Sequence, residues 1–559
     1  MKNPQAGLCC IPPWLLKTSC PDARLNRLDS APPIRSRAPA EGSFEIPLWG
    51  IPLILAVLWV CLFSGLGAIG LLGPDEPRYA AIARAMAETH DWITPRLWGT
   101  PWFEKPVLYY WAAGIAMRVF GVGEFAARLP SALAGLLAVI AASWAALRSY
   151  GFGAAWYCLL MLPASVAMIG FSRSAGPDML FAAFLTCSMA IAFEMLQTQN
   201  PGAFSRILFG FFLGVAVLAK GPAAVILAGG ATLLWAAFSR QWAAPFRFLH
   251  PLVIAVFCVT ALPWYVLCAL RNPDFLRVFI WQHNFERYTT PIFEHRQPVW
   301  FYGYIVPLAV LPWILFLLGG LWGLRRKLRF DSNDLFFACW ALFPILFFSL
   351  SQSKLPGYIL PAIPPLFVLL GRWVSESSTK ASQGAFLALA CTGVALMLLA
   401  IAVPTFGTKN PYAFGKAPIV AAGVIFVSGT AVCILAFRKR TMMALGLAAV
   451  LVLGTVETAN LVVLPKLDGL ISYRQLAAKL QRNGVAEQSL AIYQVSRSLN
   501  YGLDYYLNRE LPEWRPNQAQ PEWILGLLPP EIQGTDQYQI ADANPLDSRA
   551  GTVQLYRRK

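Results

Sequence analysis

Residues 73–79, Gly-Pro-Asp-Glu-Pro-Arg-Tyr, set two adjacent carboxylates, Asp75 and Glu76, directly after a membrane-length apolar run. A charged pair at the mouth of a bilayer is costly unless water, a substrate or a cation uses it. Further ionisable groups recur in later polar turns: Glu104-Lys105, Asp178, Lys220, His283, Glu286, Arg287, Lys354 and Tyr358. Arg78, Lys105, Arg287, Lys354 and Tyr358 offer donors suited to a phosphate, arginine as a planar fork and lysine as a point charge. Asp75 and Asp178 suit orienting or deprotonating an acceptor, or stabilising positive charge at a sugar carbon. Glu104 with His283 suits a hard or borderline divalent cation. Simpler roles compete: Asp75 and Glu76 precede Pro77 as a helix start would require, Glu104-Lys105 can pair locally, and Lys354 can snorkel.

The elements that must position these groups are helices across a bilayer. Of the 559 residues 57% are hydrophobic and only 13% charged, and the mean hydropathy is +0.53. That excludes an ordinary soluble protein. Thirteen spans are expected, near 47–70, 129–147, 152–170, 179–196, 207–220, 222–238, 251–270, 301–323, 335–350, 358–373, 384–404, 417–437 and 441–464. Pro106 to Gly121, with Arg118 and the Tyr109-Tyr110-Trp111 cluster, reads instead as a helix lying in the interface. The net charge of +16 resides mostly in short loops between apolar runs, which indicates orientation by positive loops and no nucleic-acid partner.

With the N-terminus cytoplasmic, the inner loops hold basic residues such as Arg148, Arg206, Arg325, Lys327, Arg438 and Arg440, with few acids. The ionisable turns then all fall on the outer face. Residues 1–45, rich in Pro, Ser and Arg, read as a disordered cytoplasmic tail; residues 46–464 form the membrane domain. Residues 465–559 read as a small α/β domain on the periplasmic side, with a helix at 473–482 and strands at 489–495 and 552–556. That domain has no cysteine, so neither a disulfide framework nor a CxxC metal site is expected there.

The runs PDEPRYAAIARAM (74–86), DWITPRLWGTPWFEKPVLYYW (91–111) and GEFAARLPSALAG (123–135) occur in that order. SRSAGPDML (172–180), LAKGP (218–222), HNFERY (283–288) and SQSKLPGYILPAIPPL (351–366) follow. Together they resemble the aminoarabinose transferase-like, protein-mannosyltransferase-related membrane glycosyltransferases, over roughly residues 45–375. The resemblance implies a GT-C fold in the bacterial inner membrane, with interfacial helices in the first outer loop. It implies transfer of a sugar from a polyprenyl-phosphate carrier, with inversion, to an outward-facing acceptor such as lipid A, another glycolipid or a protein. Carried onto this chain, Asp75 is the main catalytic carboxylate and Asp178 a second near the acceptor. Arg78, Lys105 and Tyr358 hold the carrier phosphate, and Glu104 with His283 binds the divalent cation; Lys354 and Arg287 join the phosphate set from charge and position alone.

Two other readings share these features. A protein O-mannosyltransferase differs only in its acceptor, a polypeptide hydroxyl. A lipid or sugar transporter would place its charges near the midplane and often in paired inverted halves, whereas here they gather at one face without an internal repeat.

Overall fold

The computed structural model describes residues 46–286, 297–325, 331–379, 383–408, 417–485, 489–515, 520–527, 537–542 and 553–559. The expected tail, residues 1–45, lies outside them. Helices dominate. In order they are α1 (Gly50–Leu58), α2 (Asp75–Thr89), α3 (Leu108–Phe120), α4 (Glu124–Tyr150), α5 (Phe152–Met161), α6 (Val166–Ser172) and α7 (Pro177–Gln197). Then come α8 (Ala203–Lys220), α9 (Ala223–Ser239), α10 (Pro251–Arg271), α11 (Phe301–Val310), α12 (Ile314–Arg325), α13 (Ser332–Leu350) and α14 (Ile363–Thr379). The last six are α15 (Gln383–Thr408), α16 (Ala417–Phe437), α17 (Thr441–Thr458), α18 (Leu464–Ile471), α19 (Arg474–Arg482) and α20 (Arg497–Leu507).

Among the described residues, nine helices are long and apolar enough to cross a membrane, or up to eleven if each of two bent pairs is one span. Two shorter apolar helices, Gly50–Phe63 and Ala223–Ser239, fall below that length. Each of the thirteen expected spans coincides with one of these helices or bent pairs, but length and composition support nine to eleven crossings. Along the lipid-facing side of α10, Val259, Val266 and Leu270 are exposed, as a bilayer solvent permits.

The bends have a sequence cause. Pro163 lies between α5 and α6, which meet at 60°, and Pro312 between α11 and α12, which meet at 113°. Proline removes an amide donor and clashes with the preceding turn, so each run breaks there. The Val166 amide, freed by the first break, donates to the Leu311 carbonyl at the second (3.0 Å). The two broken segments therefore dock on each other and satisfy backbone groups that lipid could not.

Between the first apolar helix and α4, the chain forms α2, a short ladder of β1 (Arg96–Leu97) with β2 (Thr100–Pro101), and α3. Helix α3 matches the expected interfacial segment, and it packs on α2. The membrane helix begun at Thr441 continues apolar through Ile471, beyond the expected boundary at 464. After it, β3 (Leu490–Tyr493), β4 (Trp523–Gly526), β5 (Tyr538–Asp542) and β6 (Gln554–Arg558) form a sheet in the order β3-β4-β6-β5. Strands β3 and β4 are parallel and joined through α20, and the other pairings are antiparallel. The expected helix and two strands are present; β4 and β5 are additional.

Candidate active site

Helix α2 begins at Asp75, so its exposed carboxylate sits where the helix dipole favours a negative charge. One turn on, Arg78 is buried (4% exposed) while Asp75 is 59% exposed. Arg78 Nη2 donates to Asp75 Oδ1 (2.6 Å) and lies 3.0 Å from Glu104 Oε2. Glu104 Oε1 is 3.5 Å from Lys105 Nζ. The guanidinium also faces the rings of Tyr79 (5.1 Å), Trp102 (5.5 Å) and Tyr501 (5.6 Å), geometries that favour a cation. Burial opposes its charge, yet Glu104, Tyr79 and Asp75 hold its pKa above the ordinary arginine value. Both ion pairs use Nη2, and the buried Nε has no hydrogen-bond partner among the described residues.

Glu76, the neighbour of Asp75, points the other way and is buried. Its carboxylate receives Arg128 Nη2 (2.6 Å), the Leu72 amide (2.8 Å) and the Ala175 amide (2.8 Å). Arg128 also donates to the carbonyls of Leu66, Ile69 and Gly70 (2.8–2.9 Å). This clasp ties the start of α2 to α4 and to the turn before α7.

Asp178 belongs to a second cluster. Pro177 opens α7 and places Asp178 in its first turn, at the positive end of the helix. The next helix, α8, returns antiparallel and ends at Lys220, where Gly221 (φ +80°) lets the chain turn sharply. The N-terminus of α7 thus meets the C-terminus of α8, and Lys220 Nζ forms an ion pair with Asp178 Oδ1. The same ammonium lies 4.8 Å from the centre of the Tyr358 ring. Gly357 faces the Asp178 carboxylate so closely that a Cβ there would come within 2.8 Å of Oδ2 and 2.9 Å of the Phe171 ring. The Tyr79 ring, beside Arg78, also borders Gly176, directly before α7.

Phe171 and Pro356 belong to the wall of an apolar cavity of about 230 Å³, bounded also by Val166, Gly170, Leu308 and Ile359. Its walls come from both broken segments and from the turn preceding α14. The breaks at Pro163 and Pro312 thus open an apolar recess immediately beside the Asp178–Lys220–Tyr358 cluster.

The remaining expected site residues have other placements. Lys354 is buried and donates to the carbonyls of Ser351 (2.6 Å) and Gln297 (3.0 Å), so it pins the turn before Tyr358; burial lowers its pKa. His283 lies in a π-helical stretch, Arg277–Glu286, whose approach packs on the segment between α2 and α3 through Phe275 and Phe103 (5.2 Å). Arg287 lies outside the described residues. Glu104 is engaged by two cations, and among the described residues no three His, Cys, Asp or Glu side chains gather as a metal site. Glu294 and His295, in the same loop as His283, lie outside the described residues. Sequence reasoning noticed Lys220 only as an outer turn; its LAKGP setting, a helix end followed by Gly-Pro, was the available signal. It gave no role to Arg128, although that residue lies within the GEFAARLPSALAG run, and it missed Tyr501, for which no local pattern exists.

A multi-pass helical bundle with short helices and facing acid–base clusters at one end, capped by a small α/β domain, is a GT-C architecture. The crystal structure of ArnT from Cupriavidus metallidurans bound to undecaprenyl phosphate shares this fold. Its TM-score is 0.74 at 24% identity, covering 91% of this chain and 98% of that one. Residues 48–279 match the dolichyl-phosphate-mannose-protein mannosyltransferase family. The undecaprenyl phosphate-alpha-4-amino-4-deoxy-L-arabinose arabinosyl transferase of Edwardsiella ictaluri is 33% identical over 58% of this chain and 59% of its own. A Pseudomonas aeruginosa protein of the same name is 29% identical over 84% of this chain and 91% of its own. The match thus spans about three fifths of the Edwardsiella relative's length. The chain is thus similar in sequence to these arabinosyl transferases and in fold to a GT-C structure, and its apolar helices mark it as a multi-pass protein of the bacterial inner membrane.

Proposed function

We propose that this protein transfers a sugar from a polyprenyl-phosphate carrier of the undecaprenyl type to an acceptor on the periplasmic side, lipid A being the acceptor that the sequence resemblance implies. The observation that carries the reading is the junction at Gly357. An apolar recess on one side and the Asp178–Lys220–Tyr358 cluster on the other suit a substrate with a lipid tail and a charged head. A single displacement accounts for the chemistry. The acceptor oxygen attacks the anomeric carbon, the bond from that carbon to the carrier phosphate breaks with inversion, and the phosphate leaves with the bonding electrons. Arg78 and Lys105 neutralise that charge in place of a general acid. Asp75, exposed at the helix mouth, orients an acceptor that is already anionic; from a hydroxyl it would take the proton.

In this reading the N-terminus is cytoplasmic and the α/β domain periplasmic, as the basic inner loops favour. A tag after Lys559 is then accessible from the periplasm, and a protected tag would overturn the orientation. Proteoliposomes supplied with undecaprenyl-phosphate-linked aminoarabinose and lipid A test the activity, read by the mass of lipid A. Transfer to a peptide hydroxyl instead would favour the second reading, which the mannosyltransferase match supports. Absence of transfer to either acceptor would reject both.

A further inference from the structure

Arg78 is completed by a residue from the other domain. Tyr501 lies in α20, 423 positions along the chain by number, and its ring is 5.6 Å from the Arg78 guanidinium, as near as Trp102 at 5.5 Å. Helix α20 packs directly on α2. The docking is specific. Tyr506 Oη, also on α20, accepts the Leu71 amide (2.7 Å) and donates to Glu124 Oε1 (2.9 Å). Asp468 accepts the Gly70 amide (2.7 Å), and Arg474 joins Asp468 (2.8 Å) to Glu124 (3.3 Å). These bonds fix the residues leading into α2, so the register of α20 over α2 is set at several points. Gly70 has no room for a side chain: a Cβ would come 2.5 Å from Ser472 Oγ and 2.7 Å from Tyr506 Oη.

The consequence follows from what holds Arg78. Its two ion pairs converge on Nη2, so they do not by themselves fix the tilt of the guanidinium plane. Tyr79 is on the same helix and Trp102 on the same loop, whereas Tyr501 comes from outside the membrane domain. A guanidinium that must present its donors to a planar array of phosphate oxygens loses bidentate geometry if it tilts. We propose that Tyr501 is a positioning residue for Arg78, which makes the periplasmic α/β domain a working part of the carrier-phosphate site. This rests on the assignment of Arg78 to the carrier phosphate.

The test uses full-length enzyme in detergent, with undecaprenyl phosphate as the binding probe and steady-state kinetics for the donor. Tyr501→Leu retains bulk and removes the π face, and Tyr501→Phe restores it. Tyr501→Leu is expected to weaken carrier binding and raise donor KM by about five- to tenfold, the range of one partly buried cation–π contact. The melting temperature stays at the wild-type value, kcat changes far less than KM, and Tyr501→Phe recovers the wild-type KM. In an Arg78→Ala background Tyr501→Leu adds nothing further, because the two act as one unit. Wild-type KM and affinity in Tyr501→Leu, or an undiminished effect in the Arg78→Ala background, overturns the proposal. If Arg78→Ala itself binds undecaprenyl phosphate normally, the assignment of Arg78 is what fails, a separable result.

Discussion

Arg128 on α4 closes on Glu76 at 2.6 Å across 52 positions of sequence, while Asp75, one residue earlier, stays exposed and bonds only one turn away to Arg78. Two neighbouring carboxylates thus have opposite tasks. Glu76 anchors the helix that carries Asp75, and Asp75 stays solvent-exposed at the mouth of that helix.

Asp75→Asn keeps the shape at the helix mouth but removes the charge. Turnover is expected to fall by about 10²–10⁴-fold, the usual span for losing an acid–base group, while carrier binding persists. Turnover within a few-fold of wild type, measured by lipid A mass spectrometry, would remove Asp75 from the reaction.

Arg128→Met acts differently. It strands the buried Glu76 carboxylate without its cation and strips donors from the Leu66, Ile69 and Gly70 carbonyls. Breaking one side of a buried pair costs about 3–5 kcal/mol. The variant should melt markedly lower or fail to accumulate in membranes, whereas a stable but inactive enzyme would show that Glu76 and Arg128 serve the chemistry directly.

At the second cluster, Asp178→Asn and Lys220→Gln should each depress donor kcat/KM, and the double variant should be no worse than the more damaging single. Contacting partners are non-additive in this way, and strict additivity would mean the pair works separately. Gly357→Ala drives a methyl against the Asp178 carboxylate and Phe171. Its activity should fall even though alanine is only one carbon larger.

Asp504, buried on α20, accepts the Leu511 amide (2.9 Å), and burial pushes its pKa from 3.8 to about 7. The folded domain therefore prefers the neutral acid. Its contribution to stability is full below the unfolded value and is lost as pH rises through the folded value. Melting of the full-length protein should decline from pH 4 towards pH 7 and then level. Asp504→Asn should flatten that decline; an unchanged profile would assign the pH dependence elsewhere.

Sequence alone determined that this is a multi-pass helical membrane protein with its ionisable groups in the polar turns, because apolar run length and residue chemistry are local properties that a bilayer reads directly. It located the short helix α3, the break at Gly221-Pro222, and Asp75, Arg78, Glu104 and Lys105 as neighbours in one loop. Only the tertiary structure decided that Glu76 is an anchor, that Lys354 pins a turn, that Lys220 belongs to Asp178, and that Tyr501 reaches Arg78 from another domain. Such partnerships depend on which helix ends meet in space. Helix crossing and domain docking arise from packing over the whole chain, and no spacing of residues along one segment encodes them.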